Sequence, residues 1–284
     1  MSEQREFADV LASLDNKIDL NRRMNETLEA MARAIFKSWF VDFDPVRTKS
    51  EEGQPLGMDA ETADVFPDSF EDSIVGRIPT NWNVGKLDML VEIHGGGTPR
   101  TSIPAYWNGD IPWFSVVDSP HASDVFVTGT EKTITKAGVD SSSAKVLPVG
   151  TTIISARGTV GELAVLGVPM AFNQSCYGIR GRAGFSDYFT YFNLRNKVDE
   201  LAQSSHGTVF DTITRDTFKI VDCVIPPARL IGAFQRLVSP LLDRILSNLC
   251  ESSTLTEIRG ILLPNLISGE IPVKDTEKMI GQKA

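Results

Sequence analysis

Apolar residues recur at helical spacing near the beginning of the chain. Between residues 7 and 40 they fall on alternating three- and four-residue steps, and Asn21, Asn25 and Ala32 lie on the same stripe. The apolar members are Phe7, Leu11, Leu14, Ile18, Leu28, Ile35 and Trp39. A repeat of about 3.5 residues is typical of a coiled-coil seam, in which polar residues commonly fix register and partner. An amphipathic surface helix is the alternative. The pattern predicts one long helix that ends near Asp42, ahead of Pro45.

The pattern then changes character twice. Residues 45–76 are rich in Gly, Pro, Asp and Glu with little periodicity, so we expect an acidic linker or an ordered loop there. Residues 77–226 contain short Val, Ile, Thr and aromatic runs between Gly and Pro, which is the composition of strands and turns. One helix is predicted inside this region, from Asp187 to about Ser204.

Helical spacing returns after Pro226. One face carries Leu230, Phe234, Leu237, Leu241, Ile245 and Leu249, and after a Ser-rich interruption Leu255, Ile258 and Leu262. Pro240 is expected to kink this helix, and Pro264 and Gly269 to end it. The predicted fold is therefore α+β: a mixed, β-rich domain over 77–226, flanked by helices over 1–44 and 227–270 that pair as an antiparallel coiled coil. Residues 271–284 are predicted to be a frayed tail.

Charge is distributed unevenly along the chain. The net charge is −9, whereas nucleic-acid binders are usually basic. Residues 1–76 hold 8 Lys and Arg against 17 Asp and Glu, while residues 77–225 hold 13 against 14. The acidity is thus concentrated at the N-terminal end. A balanced β-rich domain can still present a basic face, so charge does not decide the function.

Sequence signals of export and catalysis are missing. No run approaches the roughly 18 apolar residues of a membrane span, and MSEQREFADV does not resemble a signal peptide. Cys176, Cys223 and Cys250 form no C-x-x-C pair, so we expect reduced thiols in the cytoplasm. The sequence contains no P-loop, G-x-G-x-x-G, G-x-S-x-G or H-E-x-x-H motif. We therefore expect a non-catalytic chain without cofactor or metal.

Several blocks of sequence together resemble a known family. Residues 95–118 (GGGTPRTSIPAYWNGDIPWFSVVD) resemble the opening of a target-recognition domain in the specificity subunit of type I restriction-modification enzymes. Residues 133–165, 172–179 (FNQSCYGI) and 204–227 follow in the family's order. Residues 14–46 resemble its central conserved helix, and ISGEI at 267–271 resembles its usual ending.

The resemblance implies a function and a set of partners. The chain is expected to bind a specific sequence of double-stranded DNA and direct partner subunits to it. Modification (methyltransferase) subunits would dock on the two long helices, and a restriction and translocase subunit would complete the complex. Adenine methylation, translocation and cleavage would belong to those partners, which bind S-adenosylmethionine, ATP and magnesium.

One departure from the family concerns the number of recognition domains. Family members usually carry two, each reading half of an interrupted target, whereas this sequence resembles a C-terminal half with one. Two identical chains related by a two-fold axis would read a palindrome with an unread spacer, so we expect a homodimer formed through residues 7–40 and 230–262. A native N-terminal half supplied by a second chain, or removed by truncation, remains an alternative.

Polar residues in the loops of the β-rich domain are the candidates for DNA contact. Arg100, Arg157 and Arg215 lie in Gly, Ser and Thr loops, where a guanidinium group can reach guanine or phosphate. The tandem amides Asn173 and Gln174 suit the N6 and N7 edge of adenine. Hydroxyl groups could donate to phosphates or bases, and an indole could stack on an extruded base or belong to the core. The remaining candidates are Thr98, Trp113, Ser115, Ser155, Thr159, Ser175, Thr208 and Thr212.

Two other functions fit parts of the sequence. A coiled-coil protein-interaction module without specific DNA binding would suit the acidic net charge. A metal-dependent nuclease with an unfamiliar site could use Asp110, Asp118 or Glu131. Steeply salt-dependent binding to duplex DNA would exclude the first, and magnesium-dependent cleavage would support the second.

Overall fold

The computed structural model describes residues 2–120, 124–182, 184–204 and 212–267. The chain forms two compact units, one built from Met1–Ala30 and Leu241–Ala284 and the other from Met31–Pro240. Each of the two long helices contributes to both units. The helices are α1 (Ser2–Phe40), α2 (Asp44–Ser50), α3 (Ala60–Val65), α4 (Leu87–Leu90), α5 (Lys136–Asp140), α6 (Asp187–Ser204), α7 (Thr217–Ile220) and α8 (Ala228–Ile267).

The strands all belong to the unit Met31–Pro240. They are β1 (Phe70–Ser73), β2 (Gly76–Pro79), β3 (Asn83–Lys86), β4 (Val91–Gly95), β5 (Trp107–Phe114), β6 (Phe126–Val127), β7 (Thr133–Ile134), β8 (Thr152–Ser155), β9 (Leu163–Leu166), β10 (Ala171–Phe172), β11 (Cys176–Gly181) and β12 (Asp222–Ile225). The predicted α+β fold is confirmed, with long helices and a β-rich region.

In the first unit, α1 and α8 lie side by side in opposite directions. Leu14 is buried with Leu255, Ile258 and Leu262, while further along α1 Asn25 contacts Asn248. Positions later in α1 therefore contact positions earlier in α8, which is an antiparallel arrangement. The apolar cluster excludes water from one end of this contact, and asparagines occupy the other.

Helix α8 continues where the sequence pattern predicted an interruption. It runs without a break from Ala228 to Ile267, through the Ser-rich segment and past Pro264. The hydroxyl groups of Thr254 and Thr256 donate to the carbonyls of Cys250 and Ser252, at 3.1 and 2.7 Å. Such bonds to the preceding turn satisfy the hydroxyl groups inside a helix. The apolar face is kept across this segment, so the helix persists.

In the second unit, the parts of α1 and α8 that belong to it bury aromatic side chains against α6. The ring of Phe36 lies 5.8 Å from that of Phe189, 5.7 Å from that of Phe192 and 5.7 Å from that of Phe234. The sequence pattern placed the domain boundaries at the helix ends, near residues 44 and 226. The compact units instead divide within each helix. The last part of α1 and the first part of α8 carry core residues, such as Phe36 and Phe234, of the unit Met31–Pro240, which we call the β-rich unit.

The region predicted to be an acidic linker contains regular structure. Residues 44–79 form α2, α3 and the β1–β2 hairpin, and the side chain of Phe66 is buried, 5.2 Å from the ring of Trp39. The ammonium group of Lys49 donates to the carbonyls of Ala63 and Phe66, at 3.0 and 2.6 Å. Asp59 caps α3 by accepting from the Thr62 N–H. Isolated apolar residues and helix caps stabilise the structure of this segment, so the sequence contains no periodic pattern that predicts it.

The strands of the described residues form four small sheets, of which β1-β2 and β12-β3 have two strands each. Five strands pair in the order β4-β11-β8-β9-β6, antiparallel except for β6 with β9, and three pair in the order β10-β5-β7. Phe114, Ile153, Met170 and Phe172 are buried together in the main core. The predicted helix from Asp187 to Ser204 is confirmed as α6. Within the described ranges, no helix combines the length and apolar character that crossing a membrane requires.

Candidate nucleic-acid interface

Three loops leave the five-stranded sheet at the same end. Strand β4 ends at Gly95, β8 ends at Ser155 and β11 begins at Cys176. The strand register sets Gly95 opposite Tyr177 and Ser155 opposite Cys176. Residues 96–100, 156–161 and 173–175 therefore emerge next to one another.

Two further segments join these loops. Strand β10 runs parallel to the end of β5, with Phe172 opposite Phe114, and the Asn173 N–H donates to the Phe114 carbonyl at 2.9 Å. The Ile213 N–H donates to the carbonyl of Ala156 at 3.1 Å. We call residues 96–100, 115–118, 156–161, 173–175 and 212–215 together the loop cluster.

Glycine is required where the first loop touches its neighbours. The Gly97 N–H donates to the Phe172 carbonyl at 2.9 Å. A Cβ atom on Gly96 would lie 2.0 Å from the carbonyl oxygen of Asn173, and one on Gly97 would lie 2.2 Å from the amide nitrogen of Ala144. No side chain fits at such distances. The Gly-Gly pair therefore fixes the start of residues 96–100 against residues 172–173.

The three arginines of the loop cluster have exposed side chains. Arg157 lies in a turn with Gly158 and Gly161, both at positive φ, and has no hydrogen bond or ion pair to any residue that the structure describes. The Cζ atom of Arg215 lies 5.9 Å from the centroid of the Tyr177 ring, a cation–π arrangement. Together with Arg100 they give the cluster three exposed guanidinium groups.

Several predicted contact residues support the loops internally. The Ser115 hydroxyl donates to Asp118 Oδ2 at 3.0 Å. The Ser155 side chain is buried, donates to the Thr159 carbonyl and accepts from the Glu162 N–H at 2.9 Å. Since these hydroxyl groups are engaged within the protein, their part in the site is to shape the turns.

Trp113 belongs to the core beneath the loop cluster. Its side chain is buried against Ile134, Ala144 and Ala171, and its indole N–H donates to the Gly97 carbonyl at 2.9 Å. An indole in this position has no face open to an extruded base. It anchors the Gly-Gly loop from below, which is the core placement that the sequence left open.

The remaining candidates have mixed positions. The side chain of Gln174 is exposed and accepts a hydrogen bond from the Thr98 hydroxyl. Thr159 is exposed and Thr212 is half-buried. Ser175 contributes backbone groups, donating its N–H to Asn173 Oδ1 at 2.9 Å and accepting from the Ala156 N–H at 2.8 Å. Thr208 lies outside the described residues.

Two residues near the loops were not predicted from the sequence. Tyr177 is half-buried at the start of β11 and carries Arg215 on its ring. Lys145 is exposed and follows the Ser143–Ala144 backbone that packs against Gly97. A single tyrosine in a strand and a single lysine in a loop give no sequence signal. Their relevance comes from long-range packing alone.

Metal and thiol chemistry are weakly represented around the site. In the part of the chain that the structure describes, no three His, Cys, Asp or Glu side chains are grouped to hold a metal ion. Both carboxylate oxygens of Asp118 are engaged, Oδ2 by Ser115 and Oδ1 by the Glu131 N–H at 2.7 Å. Burial raises the pKa of the Cys176 thiol to about 12, so it stays protonated at neutral pH.

Comparison with known proteins gives the family. Residues 79–247 match the family model of the type I restriction modification DNA specificity domain. The chain is 31% identical over 311 residues to the type I restriction enzyme HindI specificity subunit of Haemophilus influenzae, covering 94% of this chain and 67% of that protein. It is 28% identical over 210 residues to the MjaIX specificity subunit of Methanocaldococcus jannaschii, covering 73% and 49%. The chain belongs to the family of type I restriction-modification specificity subunits.

Solved structures agree on the fold. The type I restriction-modification S subunit from M. genitalium superposes with a TM-score of 0.59 at 12% identity, covering 94% of this chain and 61% of that one. At this identity the likeness concerns the fold alone. The chain thus spans between about half and two thirds of the length of the relatives it matches.

Proposed function

We propose that this chain recognises one half of a bipartite DNA target for a type I restriction-modification complex, with the loop cluster as its reading surface. The supporting observation is the convergence of five loops at one end of the β-rich unit, with three exposed guanidinium groups and the exposed amide of Gln174. Guanidinium and amide groups suit phosphates and base edges in the major groove. A chain with a net charge of −9 can bind DNA at the loop cluster, because its excess of acidic residues lies in residues 1–76 and the loop cluster lies later in the sequence.

Catalysis in this proposal belongs to partner subunits. The chain supplies DNA recognition and a docking surface on α1 and α8 for methyltransferase subunits, and a restriction subunit joins the complex. It needs no cofactor of its own. The antiparallel contact between α1 and α8 supports a spacer role for these helices, because two helices held in one register give a fixed length.

We further propose that two copies of the chain assemble through these helices. One recognition domain reads one half-site, and a two-fold axis would place a second copy at a fixed distance and orientation. Sedimentation velocity over a micromolar concentration range tests the assembly. A shift to twice the monomer mass is expected, and a monomer at every concentration, with or without the methyltransferase, would contradict it.

The experiment that tests the main proposal is co-expression of the chain with its methyltransferase subunit, followed by sequencing of the modified adenines in host DNA. One interrupted palindrome is expected if two copies act together. A bipartite, non-palindromic motif would keep the recognition role but assign the second half-site to another chain. An assembled complex that modifies no motif would contradict DNA recognition and favour a protein-interaction module.

A second measurement separates DNA binding from protein interaction. Replacing phosphate counterions by Lys and Arg makes the logarithm of the binding constant fall linearly with the logarithm of salt concentration. We expect this slope for the purified complex on a duplex that carries the motif. Affinity that is independent of salt would contradict the assignment of the loop cluster to DNA.

A further inference from the structure

The tandem amides of the loop cluster have different structural roles. Asn173 is used within its own loop: its Oδ1 accepts from the Ser175 N–H at 2.9 Å, and its backbone N–H donates to the Phe114 carbonyl at 2.9 Å. Gln174 takes no part in shaping this turn, and its side chain is exposed. Sequence alone treats the two amides as equivalent, whereas the structure leaves Gln174 as the one directed to solvent.

The exposed amide is held by a residue from another loop. The Thr98 hydroxyl donates to Gln174 Oε1, across 76 positions of sequence. Thr98 itself follows the Gly96-Gly97 pair, which the Phe172 carbonyl and the Trp113 indole fix in place through bonds of 2.9 Å each. The hydroxyl is therefore set against Gln174 by backbone packing that no side chain at Gly96 could share.

The bond leaves a definite set of hydrogen-bonding groups on Gln174. A glutamine amide has two N–H donors and two lone pairs on its oxygen, and Thr98 occupies one lone pair. Two donors and one acceptor remain, held in one plane. Adenine presents an N7 acceptor and an N6–H donor side by side in the major groove, which is the complementary pattern. Holding the amide in advance reduces the conformational freedom that it loses on binding.

We propose that Gln174 reads one adenine of the half-site through its N6 and N7 edge, and that Thr98 is the positioning residue that orients its amide. This inference rests on the proposed function. It assigns Asn173 to loop architecture and not to base recognition. A good bidentate pair discriminates by about 1–3 kcal/mol, which corresponds to roughly 5- to 140-fold between adenine and another base.

The test uses the complex with the methyltransferase and the modified-adenine motif as readout. Q174E replaces the N–H donors by an acceptor, so discrimination for adenine should fall by that factor at one position of each half-site. T98V has nearly the same shape but no hydroxyl group, so the same position should become degenerate. T98S restores the hydroxyl and should restore the wild-type motif.

A matched variant acts as the control. Q54E makes the same chemical change at an exposed glutamine far along the sequence and should leave every position of the motif unchanged. Thermal unfolding midpoints of all variants verify that each one folds.

The outcomes distinguish this inference from the function on which it rests. If the wild-type complex modifies a motif and both Q174E and T98V modify the same motif, the role of Gln174 is overturned and DNA recognition is not affected. A wild-type complex without any motif would overturn both. If Q174E abolishes modification, the readout becomes the affinity of the variant complex for duplexes substituted at each motif position. Loss of sensitivity at a single adenine supports the inference, and unchanged sensitivity there contradicts it.

Discussion

The side-chain amide of Asn248 donates a hydrogen bond of 2.8 Å to Oδ1 of Asn25, between α1 and α8, and both side chains are about 1% exposed. Nearby, Asn21 Nδ2 donates to Glu251 Oε2 at 2.8 Å and to the Ser252 hydroxyl at 3.2 Å. Polar side chains buried in a helix seam commonly fix register, because sliding one helix along the other leaves them unpaired. For a protein whose helices are proposed to set a distance, one register is a functional requirement.

Breaking this asparagine pair should destabilise the helix contact. Asn25→Leu leaves the buried amide of Asn248 without its acceptor, and an unsatisfied buried polar group costs about 1–3 kcal/mol. The double variant N25L/N248L removes both polar groups and should recover most of that loss. Chemical unfolding of the full chain measures the effect, and N16L at an exposed position of α1 is the control. A double variant as unstable as N25L would contradict this account.

Acid should weaken the same region through Glu251. The hydrogen bond from Asn21, followed by that from Lys17, holds the pKa of Glu251 below its usual 4.5. A folded-state pKa that lies below the unfolded value stabilises the protein above the unfolded pKa, and this contribution disappears as pH falls through the folded pKa. Unfolding midpoints should therefore decrease below about pH 4.5, and less steeply in E251Q. Equal slopes for E251Q and the wild type would show that the carboxylate is not coupled to folding.

The two neighbouring glycines Gly95 and Gly97 should respond differently to alanine. A Cβ on Gly97 would clash with the Ala144 backbone at 2.2 Å, whereas one on Gly95 meets nothing within 4 Å. Forcing an extra methyl group into a packed site typically costs about 1–3 kcal/mol. We expect G97A to lower the free energy of unfolding and to reduce the base specificity of the modified motif, while G95A stays close to wild type in both measurements. Similar behaviour of both variants would contradict the close approach of the loops.

Arg215 and Tyr177 should contribute to DNA binding as a pair. A guanidinium group over an aromatic ring gains about 0.5–1 kcal/mol at an exposed site and is held in place by the ring. R215A and Y177L should each weaken duplex binding by the complex, and their effects should be less than additive by about that amount. K219A removes an exposed cation that is already paired with Asp216 and serves as the control. Strict additivity would contradict the coupling.

Thiol reactivity should separate the cysteines. Burial raises the pKa of Cys176 and of Cys223 to about 12, so neither forms the reactive thiolate at neutral pH. Cys250 is exposed on α8. Titration of the native protein with an aromatic disulfide should modify one thiol rapidly, and C250S should abolish that phase. Rapid modification of all three thiols would contradict the burial of Cys176 and Cys223.

Much of the architecture follows from local patterns that the sequence displays. Local sequence predicts the period of α1, the bounds of α6 and the strands between them. These features depend on neighbours two, three or four positions away along the chain. The interruption predicted in the Ser-rich segment of α8 was wrong for the same reason, and the acidic segment after α1 contains helices and a hairpin that its composition did not predict. In both, local composition opposed regular structure, and the packing of apolar side chains overrode it.

The sequence by itself determined the fold class, the family and which loops carry polar candidates. Only the tertiary structure decided which groups each described candidate contacts. Thr98 and Gln174 are 76 positions apart, and Asn25 and Asn248 are 223 apart, so residue type alone cannot reveal these pairings. Ser155, Asn173 and Trp113 have the same chemistry as base-reading residues, but their polar groups bond within the protein. Ser155 and Asn173 bond in their own loops, and Trp113 bonds to the Gly97 carbonyl of another loop. Hydrogen bonding is short-ranged and directional, so a side chain's role depends on which groups the fold brings within about 3 Å of it.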